Sequence, residues 1–150
     1  MSKKHPTEDV MRLDSYWPYQ VTVLADQIAR RTTAVVKRYE LNLSQWRVLA
    51  AVADKPGRTS AEVVTITPMD KGIVSRATKA LLEMGHLTRI ASQSDGRISH
   101  LYMTDRGQQL YSTILPQVRL ELDEHHALLN EESLTALGRQ LKDLLAIFSD

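Results

Sequence analysis

Apolar residues recur at helical spacing along most of this chain and give way to strand-like alternation in one stretch. From Trp17 to Tyr39, the positions Val21, Leu24, Ile28, Val35 and Val36 keep the spacing of one helix face, and Pro18 suits the first turn. Ser44 then offers a cap for a second helix, Gln45 to Asp54, with Trp46, Leu49, Ala50 and Ala53 as its apolar stripe and "KPGR" as its stop. Thr59 followed by Glu62 is a capping-box pattern and predicts a short third helix. In "TPMDKGIVSRATKALLEMG", Thr67 is the expected N-cap, Pro68 the first helical residue, and Asp70 a first-turn carboxylate facing the positive end of the helix dipole. At 100° per residue, Ile73, Val74, Ala77, Ala80, Leu81 and Met84 fall on one side of this fourth helix. Lys71, Gly72, Ser75, Arg76 and Lys79 fall on the other, Leu82 lies at the edge, and Gly85 closes the helix.

Alternation begins at His86. "HLTRIAS" and "ISHLYM" read as short strands whose apolar positions are Leu87, Ile90, Ile98, Leu101 and Met103, and "QSDGR" is the hairpin turn between them. Thr104 caps a long helix expected from Asp105 to about Leu129, with Pro116 as a bend. A last helix covers 131–148. Its leucine stripe, Leu134, Leu137, Leu141, Leu144 and Leu145 with Phe148, is too rich for a helix facing water alone.

Composition narrows the class. A chain of 150 residues suits a single domain. With no cysteine, disulfides, thiolate metal sites and thiol redox sensing are excluded, and a cytoplasmic location is the expectation. No apolar run approaches the roughly 18 residues of a membrane span. The net charge of +1 hides an asymmetry: residues 1–53 carry +3, residues 54–107 carry +2 and residues 108–150 carry −4. A basic front with an acidic rear suits a polyanion-binding face backed by an assembly surface.

Helix, short helix, capped basic helix and hairpin form the order of a winged helix-turn-helix, a mainly α fold with a small β-hairpin wing. In that arrangement Lys71, Arg76 and Lys79 meet phosphates or guanine edges, Ser75 donates or accepts, and Gly72 allows close approach of the backbone. Arg97 at the hairpin tip can enter the adjacent minor groove, where narrow A·T-rich tracts concentrate negative potential. Asp95, two residues earlier, can hold that guanidinium or the turn backbone in place.

The residues Asp95-x-Arg97, Leu101, Thr104 and Gly107 in "DGRISHLYMTDRG", with "MDKGIVSRATKALLEMGHLTR" and "LNLSQWRVLAAVAD", resemble the multiple antibiotic resistance regulator (MarR) family of transcription factors. The resemblance runs from about Tyr16 to Phe148 and implies one domain over 1–150. Within it, 16–40 and 105–148 would be long N- and C-terminal dimerisation helices and 44–104 a winged helix-turn-helix DNA-binding lobe. It implies a homodimer on a palindromic double-stranded operator, a repressor in function, with Thr67, Lys71, Gly72, Ser75, Arg76, Lys79, Asp95 and Arg97 at the DNA. It also implies release by a small aromatic or phenolic effector in a crevice between the dimerisation helices and the lobe. Tyr16, Trp17, Tyr19, Trp46 and Arg47 are the candidate ligand-binding residues, the aromatics for stacking and Arg47 for a carboxylate.

Two other readings stand beside this one. Glu121 and His125, four apart on a helix with Asp123, Glu124 and His126 nearby, have spacing that can chelate a divalent cation, so a metal-responsive member of the same family is an alternative; a solvated surface pair is the ordinary reading and no metal site is assigned. A winged-helix dimer that binds protein without DNA is the other. No phosphate loop, nucleophile elbow or paired metal motif is present, and His5, His86 and His100 stand isolated; neither catalysis nor a cofactor is expected.

Overall fold

The computed structural model of the protein describes residues 10–123 and 129–149. Among the described residues six helices and one hairpin follow one another as α1 (Trp17–Val36), α2 (Leu43–Asp54), α3 (Ser60–Ile66), α4 (Lys71–Glu83), β1 (Leu87–Ala91), β2 (Ser99–Met103), α5 (Asp105–Asp123) and α6 (Glu131–Phe148). A 3-10 turn, Lys37–Tyr39, extends α1, so the helix expected from Trp17 to Tyr39 tightens over its last three residues. His5 and residues 124–128 lie outside the described residues, and with them His125 and His126 of the metal reading; Leu129, the expected end of the fifth helix, is a bend.

Two helix starts differ from the sequence expectation, and for one reason. The helix α2 is capped by Asn42, whose side chain accepts from the Gln45 backbone N–H at 2.8 Å while the Gln45 side chain accepts from the Asn42 N–H at 3.0 Å. Ser44 therefore sits inside the first turn. Likewise α4 begins after Asp70, which accepts from the Ile73 N–H at 2.8 Å. Thr67 is the C-cap residue of α3 and its hydroxyl donates back to the Val63 carbonyl at 2.7 Å. In each case a better-placed side-chain oxygen lay within three residues of the chosen one. Two other expected starts and one expected stop are present, although Thr59 and Glu62 make only the forward bond of a capping box. Thr59 accepts from the Glu62 N–H at 3.2 Å, Thr104 from the Gly107 N–H at 3.0 Å, and α4 ends at Gly85 with φ +77°. There the Gly85 N–H reaches Leu82 O and the His86 N–H reaches Leu81 O, the paired bonds of a Schellman stop.

Core packing joins α2, α3, α4, both strands and α5 through Leu49, Val63, Val74, Leu81, Leu87, Leu101 and Ile114, all buried. Removing a side chain of this size from water stabilises by roughly 1.5–3 kcal/mol. Antiparallel pairing sets Leu87 opposite Met103 and Arg89 opposite Leu101. Of the five apolar hairpin positions, Leu87 and Leu101 reach the core and Met103 packs on it, but Ile90 and Ile98 face solvent. Two strands projecting from a small lobe have one end, not one face, over the core. A third segment stitches the hairpin down: Gly57 N–H donates to Leu101 O at 2.8 Å and Leu101 N–H to Arg58 O at 2.9 Å.

Candidate nucleic-acid interface

With α4 starting at Lys71, its buried face is Val74, Ala77, Thr78 and Leu81. Lys71, Gly72, Ser75, Arg76 and Lys79 are all exposed on the opposite side, as the 3.6-residue period requires. A Cβ on Gly72 would lie 3.3 Å from the Arg76 guanidinium and 3.5 Å from the Asp70 carboxylate. Arg76 thus folds back over the glycine. Thr67, half-buried and hydrogen-bonded within α3, stands apart from this exposed row.

At the hairpin tip, one carboxylate oxygen of Asp95 accepts from the Arg97 backbone N–H at 3.0 Å and from its Nε at 3.3 Å. The Arg97 side chain is 93% exposed. An ion pair this open contributes little stability. Its geometric effect is larger, because Asp95 fixes the turn and the near edge of the guanidinium while the far nitrogens point away.

Two features of this region were not read from the sequence. Arg89 on β1 and Arg97 line one 660 Å³ cleft with Thr59, Ser60, Ser92 and Ser94, between the start of α3 and the hairpin. Strand register brings these together, and it appears in the sequence only as an unremarked arginine on an exposed position. Arg58, by contrast, is a half-buried structural cation: it donates to the Ala51 carbonyl and to Asp54, each at 2.7 Å, and closes the end of α2.

The five candidate ligand residues fall into two settings. Tyr16, Trp17 and Tyr19 are exposed at the start of α1, where Tyr19 borders a 370 Å³ recess with Leu13, Val23 and Leu24. The Trp17 ring lies 6.3 Å from Phe148 at the end of α6. Trp46 is a core residue, 6% exposed and stacked on Tyr111 of α5 at 5.3 Å, with Arg47 half-buried beside it. Core burial and the stack on Tyr111 leave Trp46 little open surface. Among the described residues no group of three or more His, Asp or Glu side chains is placed to hold a metal ion, and no helix is long and apolar enough to cross a membrane.

Among the described residues His86 is held off its ordinary value: burial first, and then the positive charge of Arg106, keep its imidazole below the usual range. It lies at the seam where α4, the hairpin and α5 meet.

Comparison with known proteins agrees with this geometry. Residues 39–98 match the model of the MarR family. The chain is similar to the HTH-type transcriptional regulator TtmR of Methylorubrum extorquens (strain PA1), 26% identical over 130 residues that cover 82% of this chain and 67% of the relative. Its fold matches the crystal structure of a MarR-family transcriptional regulator from Silicibacter pomeroyi with a TM-score of 0.82 at 21% identity, covering 91% of this chain and 92% of that one. It also matches the transcriptional repressor CouR bound to a 23-mer DNA duplex, with a TM-score of 0.77 at 23% identity, covering 88% and 94%. CouR from Rhodococcus jostii RHA1 bound to p-coumaroyl-CoA matches with a TM-score of 0.77 at 14% identity, covering 92% and 95%.

Proposed function

From the premise that this chain is a MarR-family transcriptional regulator, we propose that it binds a palindromic double-stranded operator as a homodimer and acts as a repressor that a small aromatic ligand releases. The observation that carries the DNA reading is the exposed row Lys71, Gly72, Ser75, Arg76 and Lys79 on α4, beside a hairpin whose Arg97 is held by Asp95 with its far nitrogens free. The helix α4 would lie in the major groove and read bases through Ser75 and Arg76, with Lys71 and Lys79 on phosphates. Arg97 would enter the neighbouring minor groove. Thr67 is left at the turn before α4, where its backbone rather than its engaged hydroxyl faces the duplex.

In this reading 44–104 forms the DNA-binding lobe and 16–40 with 105–148 the dimerisation helices, all within one domain over 1–150. Support for the homodimer comes from α6, whose Leu141, Leu145, Ile147 and Phe148 stand exposed, and from the Trp17–Phe148 contact that continues this surface onto α1. A second copy is the partner an apolar stripe of this length suits. Release by an aromatic ligand is supported by the p-coumaroyl-CoA complex of CouR. Tyr16, Trp17 and Tyr19 offer it open ring faces and Arg47 a cation; Trp46 would serve as a wall.

Mobility shift on fragments from the protein's own upstream region tests this reading. We expect a discrete complex that weakens steeply with salt, because phosphate contacts release counterions. Arg97→Ala should weaken it by about 1–3 kcal/mol, roughly fivefold to 150-fold, and most on sites with an A·T-rich flank. An equal loss on every sequence would reduce Arg97 to a phosphate contact. Folded dimeric protein that selects nothing from random DNA at low salt would favour the protein-binding alternative.

A further inference from the structure

The cleft behind the wing holds groups that neither the row on α4 nor the wing tip uses. Arg89 of β1 and His100 of β2 both line this 660 Å³ space, and Arg97 borders it from the hairpin turn. Arg89 is exposed and has no carboxylate within 4 Å among the described residues. Glu62 is the carboxylate of the lining, and one of its oxygens is engaged by the Thr59 hydroxyl at 3.4 Å. The Ser92 and Ser94 hydroxyls share one hydrogen bond at 3.0 Å, which leaves one proton of the pair free to donate. The cleft is therefore rich in donors and positive in charge.

His100 adds a group whose role depends on its proton. Its Nδ1 lies 2.8 Å from Gly57 O, and a carbonyl only accepts, so Nδ1 carries a hydrogen in either charge state. Nε2 is then the nitrogen that gains or loses the proton. It has no partner among the described residues and is not sealed from solvent. In the neutral ring Nε2 is an acceptor and repels an anionic oxygen; in the imidazolium it is a charged donor. The charged groups that share the cleft with it are Glu62 from α3, Arg89 from β1 and Arg97 from the turn. The carboxylate favours the proton and the guanidiniums oppose it. Arg58, on the segment paired with β2, is turned to Asp54 and the Ala51 carbonyl. An anion seated in the cleft would offset the guanidiniums and favour the charged ring.

We propose that this cleft seats one phosphate of the DNA backbone, held by Arg89 and by the protonated Nε2 of His100, so that operator affinity rises as His100 takes up its proton. The inference rests on the DNA-binding reading. The minor groove is about 6 Å wide, so an Arg97 side chain inside it brings a flanking sugar–phosphate strand to the mouth of the cleft that Arg97 borders. That strand divides the minor groove from the major groove taken by α4. A grip on its phosphate sets the wing relative to α4 and reads no base. The contact exists while the ring is charged and is lost as pH rises and the ring becomes neutral, which gives the affinity its sign.

Operator affinity of the full chain, measured at constant salt from about pH 8 to about pH 6, tests this. We expect binding roughly tenfold tighter at the lower pH, the scale of one charge-assisted hydrogen bond. His100→Asn keeps an N–H for the Gly57 carbonyl and removes Nε2, so it should bind at every pH as the native chain does at the higher one. Because the chain has other histidines, the response is assigned by its loss in this variant. Arg89→Gln, at an exposed position, should weaken binding on all sequences alike and lower the salt slope by about one contact per half-site. A pH response that His100→Asn retains, or a salt slope that Arg89→Gln leaves unchanged, overturns the site. In nitrogen-15 spectra, millimolar inorganic phosphate should shift His100 Nε2 far less than operator does; an equal shift would give the cleft to free phosphate compounds and overturn the assignment to the backbone. Salt-sensitive operator binding with a flat pH profile would sink the phosphate site and leave the DNA reading standing, whereas folded protein that binds no duplex removes both.

Discussion

In the winged lobe, Leu49, Leu81, Leu101 and Ile114 are essentially removed from water, each filling space between at least two elements. In α6, Leu137, Leu141, Leu145, Ile147 and Phe148 are between 39% and 72% exposed, and no residue of the helix is buried. Both regions are similarly apolar in pattern, so amphipathicity alone does not say what a stripe packs against. The lobe satisfies its own stripes because α2, α3, α4 and the hairpin return on one another within short turns. Among the described residues no side chain of α6 is buried, although Phe148 meets Trp17 of α1, and its stripe would be covered by the second copy proposed above. A stripe repeating over four turns, unlike an isolated exposed leucine, calls for one.

That contrast can be broken most strongly in α6. Leu141→Glu with Leu145→Glu removes four leucines from a symmetric interface, each worth roughly 1.5–3 kcal/mol when fully buried. Sedimentation velocity should then show monomers where the native chain shows dimers, and operator binding should fall with them. A double variant that stays dimeric would remove α6 from the interface. Gly107→Ala probes the lobe at its tightest point. The added carbon would collide with the His86 carbonyl, backbone against backbone, so we expect a loss of about 3 kcal/mol or more in urea unfolding, at the upper end of overpacking costs. An unchanged midpoint would mean the α4–α5 joint has slack.

Most of the fold was legible in the sequence because short-range physics wrote it. Gly85 and Thr104 ended and began their helices as expected, and the two faces of α4 separated as the helical period requires. The Asp95–Arg97 contact was also foreseeable, since two residues in a tight turn have few ways to avoid each other. What failed needed distance information. Ile90 and Ile98 alternate like core residues, but the hairpin reaches past the lobe and leaves them in water. Trp46 and the Tyr16, Trp17, Tyr19 group share chemistry, yet the core takes the first and the surface keeps the others. Arg89 and Arg97 meet across one cleft only because the hairpin folds back beside α3. Nothing local to any of those positions announces it.

The smallest effect concerns which oxygen begins a helix, and it separates local chemistry from packing. Ser44 and Asn42 are both good capping residues, and each could start α2 by itself. In the structure Asn42 makes the reciprocal pair with Gln45, and Ser44 lies within the first turn. Leu43 between them packs against the core while Leu41 before them is buried, and these two contacts fix where the chain turns into the helix. Packing therefore chooses the cap, and the cap then adds its own share. Asn42→Ala should lower unfolding stability by about 1 kcal/mol, and Ser44→Ala should leave it within about 0.5 kcal/mol. The same logic places Asp70, and not Thr67, at the start of α4, with Met69 buried just before it. Equal losses at Asn42 and Ser44 would mean that the first turn of α2 samples both starts, and that the apolar contacts on either side do not decide the register.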